Sequence, residues 1–440
     1  GPVASGRGGR WVISLLSCAF LGMFWCRAQG FRRRSLSKDG PQLQALLDGN
    51  PEAPQESSPR GFYGVLRDNV FLSALLLFIP LGFGAKWQGC SDSTVFAFNF
   101  LGIVPMAWLI GKSTEDLSAV TGEVLGGLLN ATFGNIVEML LCIASIRSGQ
   151  LTITKCTLLG SMLSNLLLVM GCSCLFGGIF GLHLQDSAPT QHFTESGANV
   201  QIVMLLLAIL CIGMPTAYAD TMEDVDDDSS EAVLAMSRKL SVLLLVAYFM
   251  YLYFQIVSHS DLFGDTEDEG DADMTPCFAA GVLAVCTCLC AASTELLIGS
   301  ISGTIESWGW SKEFVGVILL PIIGNAAEHY TAISVALMDK MDLAIGVAIG
   351  SSCQMALLVA PFTVLIGWTF DRDMNLDFHS FQLFILIGSV LVVASVLWSR
   401  QVHWLYGAMM VIAYLAVAVV YLNETPQVSV FHDRPTHPAS

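Results

Sequence analysis

Charge is what this sequence has least of. Only 13% of its 440 residues are Asp, Glu, Lys or Arg, against about 25% in an ordinary soluble domain. The little charge present leans acidic, 37 Asp and Glu against 20 Lys and Arg, for a net −17. Such a chain has little to offer a phosphate backbone, which excludes nucleic acid as a partner. No P-loop GxxxxGK[ST] occurs, so nucleotide hydrolysis supplies no energy. HExxH and other obvious nucleophile motifs are absent too, which weighs against a hydrolase. The 13 cysteines lie mostly in apolar runs. Cys172 and Cys174, and Cys286, Cys288 and Cys290, are spaced by two, which splits them across helix faces and does not match zinc sites. They read as buried thiols behaving as small hydrophobes, without a disulfide framework. No cofactor is expected.

Apolar residues, by contrast, make up 54% of the chain. They fall in about eleven runs near twenty residues long, at 69–86, 95–119, 124–147, 154–181, 200–217, 238–258, 276–303, 313–338, 343–368, 379–398 and 402–422. Runs of that length predict an all-α polytopic membrane protein with the lipid bilayer as its surroundings. A large soluble core is the alternative, and eleven recurring runs with short breaks argue against it.

Basic residues cluster ahead of the first run, at Arg32–Arg34, Lys38, Arg60 and Arg67, so the positive-inside rule puts the N-terminus in the cytosol and the C-terminus on the far side. Residues 1–60 form an extension. The chain starts at Gly, which fits a processed, tagged or incomplete sequence. Trp11–Trp25 with Cys26–Arg27–Ala28 fits a signal peptide, a short anchor or an amphipathic arm, and Lys38–Arg60 reads as a disordered linker. Two windows, 219–231 and 261–273, hold seven acids each and no base. They read as cation-gathering surfaces or as plain solvated loops. Asp265–Pro276 nearly fits an EF-hand loop, with Gly270 at position 6 but Pro276 where a bidentate Glu is needed. Asn423–Glu424–Thr425 is a glycosylation sequon in the tail, 423–440.

The few polar residues inside the apolar runs repeat. Gly324–Asn325–Ala326–Ala327–Glu328–His329 carries a G-N-x-x-E spacing also found 190 positions earlier, in Gly134–Asn135–Ile136–Val137–Glu138. A carboxylate at membrane depth is costly and marks an ion or proton path. Asn and Glu three apart share a helix face, while the glycines and Pro321 loosen the helix and free backbone carbonyls. Carboxylate, amide oxygen and carbonyl together suit a hard cation such as Ca²⁺, with Glu138 and Glu328 as metal ligands. Each carboxylate holds either a proton or a divalent cation, and this exclusivity couples the two. The plain alternative is a protonated Glu hydrogen-bonded for packing. Two in matching motifs argue against it.

The repeat extends further. Ser113–Thr114–Glu115 matches Ser293–Thr294–Glu295, and Gly160–Ser161 matches Gly350–Ser351. Two five-helix halves, 95–258 and 276–422, follow a first helix at 61–90 and flank an acidic segment at 259–275. An odd number of spans between them predicts that they run inverted, with both motifs meeting at mid-membrane. Asn130 shares a face with Gly134 and Glu138. Glu115 and Glu295 read as further buried carboxylates on the path, although Glu115 also fits a helix end at the surface. Ser161, Ser164, Asn165, Ser351 and Gln354 either complete coordination or let helices pack closely. His329, whose counterpart is Met139, fits a proton relay or a structural role equally.

Leu125–Glu138 (LGGLLNATFGNIVE), Leu158–Leu168 (LLGSMLSNLLL), Tyr251–His259 (YLYFQIVSH) and Ile318–His329 (ILLPIIGNAAEH) resemble the cation/proton exchanger (CAX) family of the Ca²⁺/cation antiporter superfamily. The likeness runs over roughly Phe62–Leu422. It implies eleven helices, one isolated and ten in two inverted five-helix repeats. It also implies a secondary antiporter, not an enzyme, moving Ca²⁺ from the cytosol into an acidic, vacuolar-type compartment against protons; whether Ca²⁺ or another divalent cation such as Mn²⁺ is preferred is left open by the sequence. Glu138 and Glu328 would be the central carboxylates, with Asn135 and Asn325 beside them. Met139 and the residues up to about Arg60 depart from the family pattern. A Na⁺/Ca²⁺ exchanger of the same superfamily is the nearest alternative, ahead of an intramembrane hydrolase built on Glu328 and His329 or a gated cation channel. A homo-oligomer is compatible with the sequence.

Overall fold

A computed structural model of the chain describes residues 61–184, 190–193, 195–222, 229–262 and 272–423. The N-terminal extension, residues 223–228 of the first acidic window, most of the second, most of the EF-hand-like loop and the tail beyond Asn423 lie outside the described residues. Regular structure among the described residues is helical, apart from a two-residue antiparallel ladder that pairs Gln191–His192 with Gln401–Val402.

Helices long and apolar enough to cross a membrane are α1 (Val70–Trp87), α2 (Asp92–Thr121), α5 (Leu151–Phe180), α6 (Gly197–Thr221), α7 (Ser230–Ser258), α8 (Pro276–Gly299), α11 (Met341–Thr369), α12 (Ser380–Leu397) and α13 (Trp404–Asn423). Between α2 and α5 lie α3 (Glu123–Phe133) and α4 (Ile136–Arg147). Residues Leu125–Phe133 and Ile136–Arg147 form a pair bent by 42° that makes a tenth span if counted as one. The sequence predicts eleven. The difference is residues 313–338, which the apolar pattern reads as one run. Here the chain is helical in pieces ending in α9 (Leu320–Gly324) and α10 (Ala326–Leu337), and it carries Glu313 and Glu328. The molecule is a multi-pass membrane protein of nine or ten such spans among the described residues.

Burial sorts the helices. The most apolar windows of α2, α5 and α11 are 67%, 72% and 67% buried, whereas that of α1 is 17% buried, so α1 is an outlying helix leaning on α2. At the α2–α3 corner Gly122 has φ 82, a left-handed value that only glycine adopts without strain. Pro276 opens α8 at its first turn, where its missing N–H has no helical partner to lose.

The 190-residue repeat is visible in the local structure. Helix α4 spans 136–147 and α10 spans 326–337, each preceded by a break at an Asn. The helices that follow start at Leu151 and Met341 and each widens into a π-turn, at Ser164–Val169 and Met355–Val359. Such wide turns recur at functional sites because they disturb the regular hydrogen-bond ladder. A close crossing then brings the halves together. Gly160 of α5 lies against the backbone of Val317, and a methyl on Gly316 would sit 2.5 Å from Cβ of Cys156. Only the small residues at both contact points allow this approach.

Candidate ion site

The two breaks create the site. Asn135 (φ −111, ψ 25) and Asn325 (φ −83, ψ 17) sit just outside α4 and α10, and neither side chain caps its own helix. Both instead cross to the other half. Asn135 Nδ2 donates to Gln354 Oε1. Asn325 Nδ2 donates to the Ser161 carbonyl at 3.1 Å, and Ser161 Oγ donates to Asn325 Oδ1 at 3.1 Å. Each motif glutamate then falls in the first turn of its helix, where the helix dipole favours negative charge.

Glu138 is fully buried, and neither carboxylate oxygen has a hydrogen-bond partner. Its Oε1 lies 2.9 Å from where a methyl on Gly324 would be, so the carboxylate of one motif rests against the glycine of the other. Glu328 is 7% exposed, and its Oε2 is unpartnered. Asn135 Oδ1 and Asn165 Oδ1 are likewise buried without partners. Unpartnered buried oxygens thus occur in both halves. An unpaired buried carboxylate is destabilising by several kcal/mol, so its charge must be met by a proton or a cation. No group of three or more His, Cys, Asp or Glu placed to hold a metal occurs among the described residues. The donor set is two carboxylates plus neutral oxygens, which suits a hard cation held transiently.

The other sequence candidates separate. Gly134 stands where a methyl would be 3.8 Å from Gln354 Oε1, and Gln354 is half-buried beside Asn135. Ser351 is half-buried on α11. Asn130 is exposed and lines a cavity with Gln354. His329 is buried with Nδ1 3.0 Å from the Asn325 carbonyl one turn back, a bond that steadies the break. Glu115 and Glu295 are not the buried carboxylates that the apolar pattern suggests. Glu115 is 53% exposed, 3.8 Å from Lys112, which also bonds Asp116 at 3.0 Å and Asp273 at 3.1 Å. Glu295 is 56% exposed and pairs with Arg147 at 2.5 Å. Hydropathy locates a carboxylate along a helix but not around it, and both are exposed rather than buried.

Several polar groups were not singled out as site candidates in the sequence. Ser113 and Ser293 occupy matching places on α2 and α8, each buried with an unpartnered hydroxyl. Their shared Ser-Thr-Glu context was the signal. Tyr248 and Gln255 line the cavity with Asn130, and Gln201 donates to Tyr251 at 3.2 Å.

Comparison with known proteins places this arrangement. The family model described as sodium/calcium exchanger protein matches residues 93–257 and 278–423. The chain is 36% identical over 373 residues to a Ca²⁺/H⁺ antiporter of Aphanothece halophytica, covering 81% of this chain and 97% of the relative. It is 36% identical to vacuolar cation/proton exchanger 2 of Arabidopsis thaliana, covering 90% of each. A solved structure of the Ca²⁺/H⁺ antiporter protein YfkE superposes with TM-score 0.67 at 30% identity, covering 80% of this chain and 99% of that one. With two broken motifs, a buried glutamate in each and these matches, the chain belongs to the sodium/calcium exchanger protein family.

Proposed function

We propose that this protein is a secondary antiporter that exchanges Ca²⁺ for H⁺, with Mn²⁺ as a further cargo. One observation carries the reading: Glu138, buried with both oxygens unpartnered, lies against Gly324, four positions before Glu328 in the second motif. Two carboxylates so placed are neutral when each holds a proton and bind a divalent cation only when those protons leave. Asn135 and Asn325 tie each broken helix to the opposite half, so movement of one half reaches both acids. Inverted halves would then expose this pocket to one side and the other in turn. The relatives named as Ca²⁺/H⁺ and cation/proton exchangers, similar over four-fifths of the chain or more, support protons over Na⁺ as the counter-ion. By the same likeness the membrane is vacuolar or another acidic endomembrane, with the N-terminus cytosolic.

The test is uptake by vesicles containing the purified protein, loaded acid inside. Ca²⁺ uptake should follow the pH gradient and collapse when a protonophore dissipates it. Uptake driven by an inward-to-outward Na⁺ gradient alone would replace this reading with Na⁺/Ca²⁺ exchange. Flux indifferent to either gradient would replace it with a channel.

A further inference from the structure

One cavity lies outside the carboxylate pair. It holds about 60 Å³ between α3, the end of α7 and Gln354 of α11. Its polar lining is Asn130, Tyr248, Tyr251, Gln255 and Gln354. Tyr248, Tyr251 and Gln255 stand at i, i+3 and i+7 and so form one stripe along α7. Tyr251 is held by Gln201, whose amide nitrogen is 3.2 Å from its hydroxyl. Tyr248 is 3% exposed, yet its hydroxyl has no hydrogen-bond partner. A buried phenol left unpaired is unfavourable, and a guest oxygen or ion would satisfy it. The wall is drawn tight where a methyl on Gly127 would meet Ile256 Cδ1 at 2.8 Å. At the inner end of the cavity Gln354 accepts from Asn135, and Asn135 begins the motif that ends in Glu138.

We propose that this cavity is the access vestibule to the carboxylate pair, and that Tyr248 and Gln255 are positioning residues that receive the incoming divalent cation with neutral oxygens. This rests on the exchange reading above. The cation meets amide and phenol oxygens first, keeps part of its water, and passes by way of Gln354 and Asn135 to Glu138. A wall without charge lets the ion move on, because neutral oxygens hold it less tightly than carboxylates do. Gln354 therefore stands between the vestibule and the acids, and its bond to Asn135 must open for the cargo to pass.

The experiment uses the full chain in vesicles with two readouts. Tyr248→Phe removes only the hydroxyl, and Gln255→Leu keeps the volume. Each should raise the KM for Ca²⁺ about fivefold, the effect of one lost neutral contact near 1 kcal/mol, with the maximal rate kept within about twofold. Gln255→Cys should react with a small charged methanethiosulfonate from one face of the membrane only, more slowly with Ca²⁺ present, relative to wild type treated alike. Unchanged KM in both Tyr248→Phe and Gln255→Leu, or a thiol at 255 that the reagent cannot reach, overturns the vestibule. If wild-type vesicles take up no divalent cation, the exchange reading fails instead, and the labelling still decides whether water reaches this cavity.

Discussion

The two halves carry the same motif but use its asparagine differently. Asn325 is bound at both ends of its amide, its oxygen by the Ser161 hydroxyl and its nitrogen to the Ser161 carbonyl. Asn135 makes one such bond, to Gln354, and keeps its oxygen buried and free of partners. The acids differ in the same sense. Glu138 is completely enclosed with two unpartnered oxygens, while Glu328 retains 7% exposure. His329 adds a further bond to the second break, where the first has Met139. The second motif is thus the braced one. The first offers more unused oxygen to a cargo. Sequence symmetry has been kept for the acids and relaxed for what surrounds them.

The comparison breaks first at the acids, where it requires both to matter. Glu138→Gln and Glu328→Gln should each reduce pH-driven Ca²⁺ uptake to about 1% of wild type or less, since an amide cannot exchange a proton for a cation. Retained uptake in either would make the halves unequal where they are expected to be alike. Next comes Gly324→Ala, whose methyl would press on Glu138 Oε1 at 2.9 Å. Uptake should fall about tenfold in the same assay, with the folded protein still recovered by size-exclusion chromatography. The asparagines sharpen the contrast. Asn325→Ala loses two hydrogen bonds and should lower stability by about 2 kcal/mol, read as a drop in Tm. Asn135→Ala should leave Tm nearly unchanged and instead raise the KM for Ca²⁺ several-fold. The reverse pattern would reverse the roles assigned to the halves. Smallest of all, Glu295→Gln breaks an exposed pair with Arg147 and should shift stability by less than about 1 kcal/mol and uptake by less than about twofold.

The parts of this structure that depend on local chemistry were legible in the sequence. Glycine beside asparagine announced both helix breaks, and the 190-residue period located matching helix starts at 136 and 326. The family likeness rests on the same stretches. What the residues could not announce is which side chains meet across the halves. Ser161 reaches Asn325 only because Gly160 lets α5 press against the backbone at Val317, a contact between residues far apart in the chain. The exposure of Glu115 and Glu295 was misread because an apolar run says nothing about the direction of its one acid. The stretch 313–338 was read as one span because its charges are few, yet the break at Gly324–Asn325 keeps it from being a single long helix. The α7 stripe was readable in principle from the spacing of Tyr248, Tyr251 and Gln255, but aromatic residues at helical spacing are ordinarily packing.

The most direct measurement is proton release from the purified, weakly buffered protein when Ca²⁺ is added in detergent. Wild type should release protons as Ca²⁺ binds, Glu138→Gln and Glu328→Gln should each release fewer, and the double variant none. Tight Ca²⁺ binding without any proton release by wild type, or full release by the double variant, would contradict the claim that one pair of buried acids holds both ions in turn.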